Sequence, residues 1–78
     1  MRAKTLKLIV TFHSTASAMA AEKCAEQKGL VGRLIPVPRE ITAGCGMAWC
    51  APVESRADTE AFFAREQIEM EGVYELMI

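Results

Sequence analysis

Two prolines, Pro36 and Pro38, lie two residues apart in a segment that otherwise has the pattern of a strand. The segment begins at Arg33, directly after Gly32, and extends to about Arg39. Proline has no amide hydrogen, so a strand with prolines at alternate positions cannot donate hydrogen bonds to neighbours on both sides. We therefore predict that this strand lies at the edge of a sheet.

A second predicted strand lies near the start of the chain. Residues 6–12 alternate in polarity, with Leu8, Val10 and Phe12 on one side. Side chains of a strand point alternately to its two faces, so this pattern predicts a strand with one clearly buried face.

Residues 16–28 have the spacing of an amphipathic helix. Charged residues cluster on one side, and three alanines and Cys24 cluster on the other. Ser14 or Thr15 is suited to cap its first turn, and Gly29 to end it. The buried face consists of small residues, so the helix can lie close to a sheet.

The second half of the chain repeats this alternation. Residues 46–53 are apolar on both faces, which predicts a central strand that Pro52 ends. A second helix follows, capped by Ser55 or Asp58 and extending to about Glu66.

Apolar residues then recur at every second position within 68–78, which predicts a last strand with a bend or bulge near Glu71 and Gly72. The order β-α-β-β-α-β is that of the ferredoxin-like α+β fold. This fold has one antiparallel sheet of strand order 4-1-3-2, with both helices on one face. We expect residues 1–78 to form one such domain, because 78 residues are near the lower limit for a self-sufficient core.

Composition and charge narrow the class of protein. A net charge of -1 gives no electrostatic signature for nucleic acid or an anionic membrane, and no apolar run is long enough to span a bilayer. The chain has three cysteines, an odd number, and its first residues lack the pattern of a signal peptide, so we expect none. We therefore expect a reducing, cytoplasmic location, where cysteines are more often reactive or metal-binding than disulfide-bonded.

Cys45 has unusual neighbours, Gly44 and Gly46. Glycine permits positive φ angles and close approach, so this triplet exposes a thiol on a tight turn. In the predicted topology, Cys45 lies at the end of the sheet where the first strand finishes at His13 and the first helix begins.

Three features thus converge there: a thiol, the one histidine of the sequence and a helix N-terminus. A helix N-terminus and a nearby imidazolium both favour the reactive thiolate. We expect Cys45 to be the functional thiol, with His13 as its partner. The backbone amides of Gly44 and Gly46, together with Ser14 and Thr15, would bind an anion. The alternative is a plain hairpin turn with a structural cysteine and a histidine that only caps the helix.

The other two cysteines are poor candidates for the same role. Cys45 and Cys50 would lie about 16 Å apart along a strand, too far for a disulfide. One histidine with a Cys-x4-Cys spacing is a weak zinc signature, so we expect no metal and no cofactor. We expect Cys24 to be buried on the apolar face of the first helix.

Three segments resemble a known family. Residues 10–15 (VTFHST), 34–40 (LIPVPRE) and 43–48 (AGCGMA) are similar to the selenium/sulfur carrier-like family of small bacterial proteins. The resemblance extends to residues 72–74 and so covers nearly the whole chain. It implies a cysteine, Cys45 by motif match, that holds sulfane sulfur or selenium as a persulfide or selenosulfide and exchanges it with donor and acceptor enzymes. Cys50 occupies a position where a basic residue is more usual in the family.

Two functions are therefore open: a carrier that is a protein substrate and not a turnover enzyme, and a non-catalytic ferredoxin-like interaction or dimerisation module.

Both functions require a surface for a partner. The face of the sheet that the helices do not cover should present Ile9, Ala48 and Cys50, with Val73 or Met77. Few charges besides Lys7 and Glu75 accompany them. Because monomeric proteins seldom expose such patches, we expect a homodimer that pairs these faces.

Overall fold

Strands and helices alternate along the chain in the predicted β-α-β-β-α-β order. A computed structural model describes residues 4–41 and 45–78 of the chain. A short 3-10 turn, Val53–Ser55, precedes the second helix. The elements are β1 (Leu6–Thr11), α1 (Thr15–Lys28), β2 (Arg33–Pro36), β3 (Met47–Pro52), α2 (Arg56–Arg65) and β4 (Gly72–Met77).

The four strands form one sheet in the order β2-β3-β1-β4, and every neighbouring pair is antiparallel. The predicted fold class, strand order and edge position of the proline-bearing strand are therefore confirmed. The strand ends at Pro36, earlier than predicted. The amide of Val37 donates to the carbonyl of Gly46 in the β3 direction. Backbone groups alternate in direction along a strand, so those of residues 34, 36 and 38 point away from β3, to the outer edge of the sheet. The two prolines thus remove donors from the outer edge and leave the ladder to β3 intact.

The main core lies between the sheet and the two helices. Leu8, Val10 and Phe12 of the first strand and its end face it, as predicted, and each is fully buried. Trp49 lies beside Val10 in the neighbouring strand and is 2% exposed. The buried positions of α1 are alanines, which allow the helix to lie close to these large side chains.

Phe63 of α2 joins the aromatic residues of this core. Its ring centroid lies 5.9 Å from that of Phe12, 5.9 Å from that of Trp49 and 5.8 Å from that of Phe62. All three contacts are edge-to-face, the arrangement that aromatic quadrupoles favour. Phe63 therefore holds α2 against the two central strands at once.

The other face of the sheet is less open than predicted. Ile9 and Ala48 are fully buried and Cys50 is 9% exposed. They form a second small core with Ile41, which belongs to the connection between β2 and β3. The expectation that these side chains lie exposed is wrong, because residues 37–41, which follow β2, place Ile41 against them.

The predicted facing of β4 is also wrong. Side chains directly opposite each other in antiparallel strands point to the same face, and Ile9 is paired with Tyr74 while Val10 is paired with Val73. Tyr74 and Leu76 therefore lie on the face away from the helices. Val73, Glu75 and Met77 lie on the helix side.

The predicted bend at the start of β4 is present. Thr11 is paired with Gly72, yet the amide of Glu71 also donates to the Thr11 carbonyl, at 2.7 Å. Two successive residues thus oppose one, as in a bulge.

None of the helices in the described part of the chain is long and apolar enough to cross a membrane.

Gly32 provides a test of the core. Its φ is +138°, and a Cβ built there would lie 2.5 Å from Trp49 Nε1. We expect Gly32→Ala to lower the free energy of unfolding by roughly 3 kcal/mol, the sum of backbone strain and overpacking. Gly29→Ala is the matched control, because Gly29 has a φ of +76° but open space at its Cβ, and should cost about 1 kcal/mol. Equal losses in urea denaturation would show that contact with the indole is not what requires glycine.

Candidate functional site

The pairing of the two central strands determines which residues meet at the end of the sheet. The register of β1 and β3 ends with Thr11 opposite Ala48. Residues that follow Thr11 and residues that precede Ala48 therefore leave the sheet at the same end. His13, the start of α1 and Cys45 all lie at this end, which is the juxtaposition that the predicted topology implied.

The Cys45 side chain is half-buried at this end of the sheet. Its Sγ donates a hydrogen bond to the Met47 carbonyl at 3.4 Å, and the side chain packs against the core on the helix side. Gly46 follows with a φ of +79° and open space around its Cα, so only glycine fits this backbone without strain. Gly44, the other predicted anion-binding glycine, lies outside the described residues.

His13 lies close to a carboxylate. Its Nδ1 is 3.8 Å from Oε2 of Glu71, and its side chain is 57% exposed. Glu71 was not among the predicted site residues. It could have been found from the topology alone, since an antiparallel β4 beside β1 must begin where β1 ends. An interaction of His13 with Cys45 stays a prediction.

The first turn of α1 places backbone amides at the same end. Ser14 is the N-cap, as predicted, and its Oγ accepts a hydrogen bond from the amide of Ser17 at 3.1 Å. The hydroxyl of Ser14 is therefore used by the helix itself. The amides of Thr15 and Ala16 have no acceptor within the helix, as in any first turn, and carry the positive end of its dipole.

The two remaining cysteines lie elsewhere in the fold. Cys24 was predicted to be buried but is half-buried. It lines a groove of about 320 Å³ between α1 and residues 66–69. Cys50 is nearly covered by the second core described above. Cys24 lies far along α1 from its first turn, and Cys50 lies within β3, so Cys45 is the cysteine at the end of the sheet where α1 begins.

Metal binding has no visible basis in residues 4–41 and 45–78. Nowhere in these segments do three His, Cys, Asp or Glu side chains cluster in a way that could hold an ion.

One comparison with known proteins gives a match. A family model described as "Putative Se/S carrier protein-like" matches residues 7–75, from the second residue of β1 to the fourth residue of β4. No curated protein and no solved structure shows a significant match to the chain.

The cap of α1 can be tested by itself. Removing the hydroxyl in Ser14→Ala leaves the amide of Ser17 without its acceptor and should lower the free energy of unfolding by about 1 kcal/mol. Thr15→Ala is the control: it removes a neighbouring exposed hydroxyl without removing the cap, and should change stability by only a few tenths of a kcal/mol. A larger loss for Thr15→Ala in thermal denaturation would contradict the assignment of Ser14 as the cap.

Proposed function

The chain belongs to the Se/S carrier protein-like family, and from this membership we propose that it carries sulfur or selenium on Cys45. The carried atom would be held as a persulfide or a selenosulfide. The observation on which the proposal rests is the position of Cys45, half-buried at the end of the sheet where α1 begins.

The surroundings of Cys45 suit a thiol that must react and then be shielded. Contact with the core restricts the side chain to one region, and a fixed nucleophile has a smaller entropic cost to overcome than a freely rotating one. The amides of Thr15 and Ala16 lie at the same end of the sheet and are suited to bind a negative charge.

The transfer step balances without an added oxidant. The Cys45 thiolate attacks the outer sulfur of a donor protein's persulfide. A new S–S bond forms at Cys45 as the donor's S–S bond breaks, and the donor cysteine leaves as a thiolate. An acceptor thiolate then repeats the step on the Cys45 persulfide. The selenium version replaces the outer sulfur by selenium and has the same electron count.

In this role the protein is a substrate of its partners and has no turnover of its own. Its partners are donor and acceptor enzymes: at this end of the sheet the donor must present a persulfide, and the acceptor must present an attacking thiolate. The exposed His13 side chain lies 3.8 Å from Glu71 there, where a partner would meet it first. We propose that this pair contributes to docking.

A second function is favoured by one observation. The Cys45 thiol already donates to the Met47 carbonyl and packs against the core, which are features of a structural cysteine. In that case the domain is a non-catalytic interaction module. The reactivity of the thiol separates the two functions.

The first measurement is alkylation at neutral pH with limiting iodoacetamide, followed by peptide mass spectrometry. The carrier function predicts that Cys45 is labelled faster than Cys24, although both are half-buried. Cys50 should be labelled last, because it is nearly covered. Equal rates for Cys45 and Cys24 would favour the interaction module.

The second measurement is sulfur loading. After brief treatment with inorganic polysulfide, the protein should gain the mass of one sulfur atom on Cys45, and dithiothreitol should remove it. Cys45→Ser should abolish loading and keep the fold, because a serine hydroxyl can replace the thiol as donor to Met47. Cys24→Ser, the matched control, should still load. Loading of Cys45→Ser to the wild-type extent would refute the proposal.

A further inference from the structure

The two edges of the sheet differ in their capacity to pair with another strand. At β2, positions 36 and 38 face outward and are prolines, so this edge lacks two alternate donors. The other edge, β4, contains no proline and no lysine. Only β4 is therefore equipped to extend the sheet.

The hydrogen bonds to β1 define which groups of β4 face outward. Thr5 and Ile78 exchange both of their backbone hydrogen bonds, so they are a hydrogen-bonded pair. Such pairs alternate along an antiparallel ladder, so the backbone groups of Tyr74 and Leu76 also point to β1. Those of Val73, Glu75 and Met77 point to the open side.

Exposed apolar side chains concentrate at the same edge. Six large hydrophobic residues of the described chain are exposed. Two of them lie in β4, one directly follows β4, and one lies in β1 opposite the end of β4. These four are Leu6, Tyr74, Met77 and Ile78, with exposures of 41%, 38%, 54% and 39%.

The one charged residue of β4, Glu75, already has a partner of opposite charge. Glu75 Oε2 accepts a hydrogen bond from Nη1 of Arg56 at 2.7 Å, and Arg56 also binds Glu60. The hydrogen bonds to Glu75 and, next, to Glu60 raise the pKa of Arg56. A strand that approaches β4 therefore meets no unpaired charge on Glu75.

We propose that two copies of this chain pair through their β4 strands, antiparallel about a two-fold axis at Tyr74, and so form one continuous eight-stranded sheet. In this register, Tyr74 lies opposite its counterpart in a non-hydrogen-bonded pair. The outward groups of Val73 and Glu75 then exchange hydrogen bonds with those of Glu75 and Val73 in the second copy.

The second copy fits this edge because the register is self-complementary. Glu75 lies opposite Val73 rather than opposite a second Glu75, so no like charges face each other. Leu76 lies opposite Gly72, which has no side chain of its own and over which the Tyr74 ring packs, so Leu76 meets an apolar ring there. The proline-blocked β2 cannot pair in the same way, so the assembly closes at two copies and does not grow into a filament.

This mode of assembly differs from the face-to-face dimer that the sequence predicted. It uses the edge of the sheet and leaves the face that Ile41 covers outside the interface. It also leaves Cys45 outside the interface, since Cys45 precedes β3 on the other side of β1.

Light scattering during size-exclusion chromatography tests the oligomeric state. At micromolar concentration we expect twice the monomer mass of 8.6 kDa. Tyr74→Lys and Tyr74→Glu should each give monomers, because two like charges meet on the axis, and an equimolar mixture of the two should give the dimer again. Met19→Lys, the matched control, changes an exposed residue of α1 and should remain dimeric.

Amide hydrogen exchange measured by NMR tests the edge without any substitution. In the dimer, the amides of Val73 and Glu75 should be protected, and this protection should disappear on dilution to the monomer. A wild-type monomer at all concentrations would overturn the proposal. So would a dimer whose β4 amides exchange as fast as those of exposed loops, because that result would place the interface elsewhere.

Discussion

The contacts of one side chain, Phe63, hold the layers of this fold together. Its ring meets Phe12 at the end of β1 and Trp49 in the middle of β3, and so connects α2 to the two central strands. Such contacts contribute about 1 kcal/mol each beyond the burial of the rings. In a domain of 78 residues, whose net stability is a few kcal/mol, this is a large share. The end of the sheet that carries Cys45 is positioned through the same contacts, since Phe12 directly precedes His13.

The architecture could be predicted from the sequence because each element carries a local signal. The prolines at 36 and 38 indicate an edge strand, and the apolar residues on both faces of β3 indicate a central one. Ser14 and Gly29 mark the two ends of α1. The two features that could not be predicted are non-local. The burial of Ile9 and Cys50 depends on residues 37–41, which follow β2 and place Ile41 against them. The facing of β4 depends on a register that begins after the bulge at Glu71, and a shift of one residue reverses every side chain of a strand.

The candidate site was predictable to the same extent. Topology alone brings His13, the first turn of α1 and Cys45 to one end of the sheet. The orientation of each side chain there depends on short-range competition, which sequence periodicity does not encode. The hydroxyl of Ser14 is taken by the amide of Ser17, the thiol of Cys45 by the Met47 carbonyl, and the imidazole of His13 lies beside Glu71.

The close packing of Trp49 against Gly32 has a consequence for spectroscopy. Trp49 is the single indole of the chain, is 2% exposed, and its Nε1 has no hydrogen-bond partner among the described residues. An indole in such surroundings emits at shorter wavelength than one in water, because no polar medium relaxes around its excited state. Since Trp49 lies in the central strand β3, its emission wavelength reports on whether β3 is packed in the main core. The folding of this protein can therefore be followed by its intrinsic fluorescence, without an attached dye and without labelling any of its three cysteines.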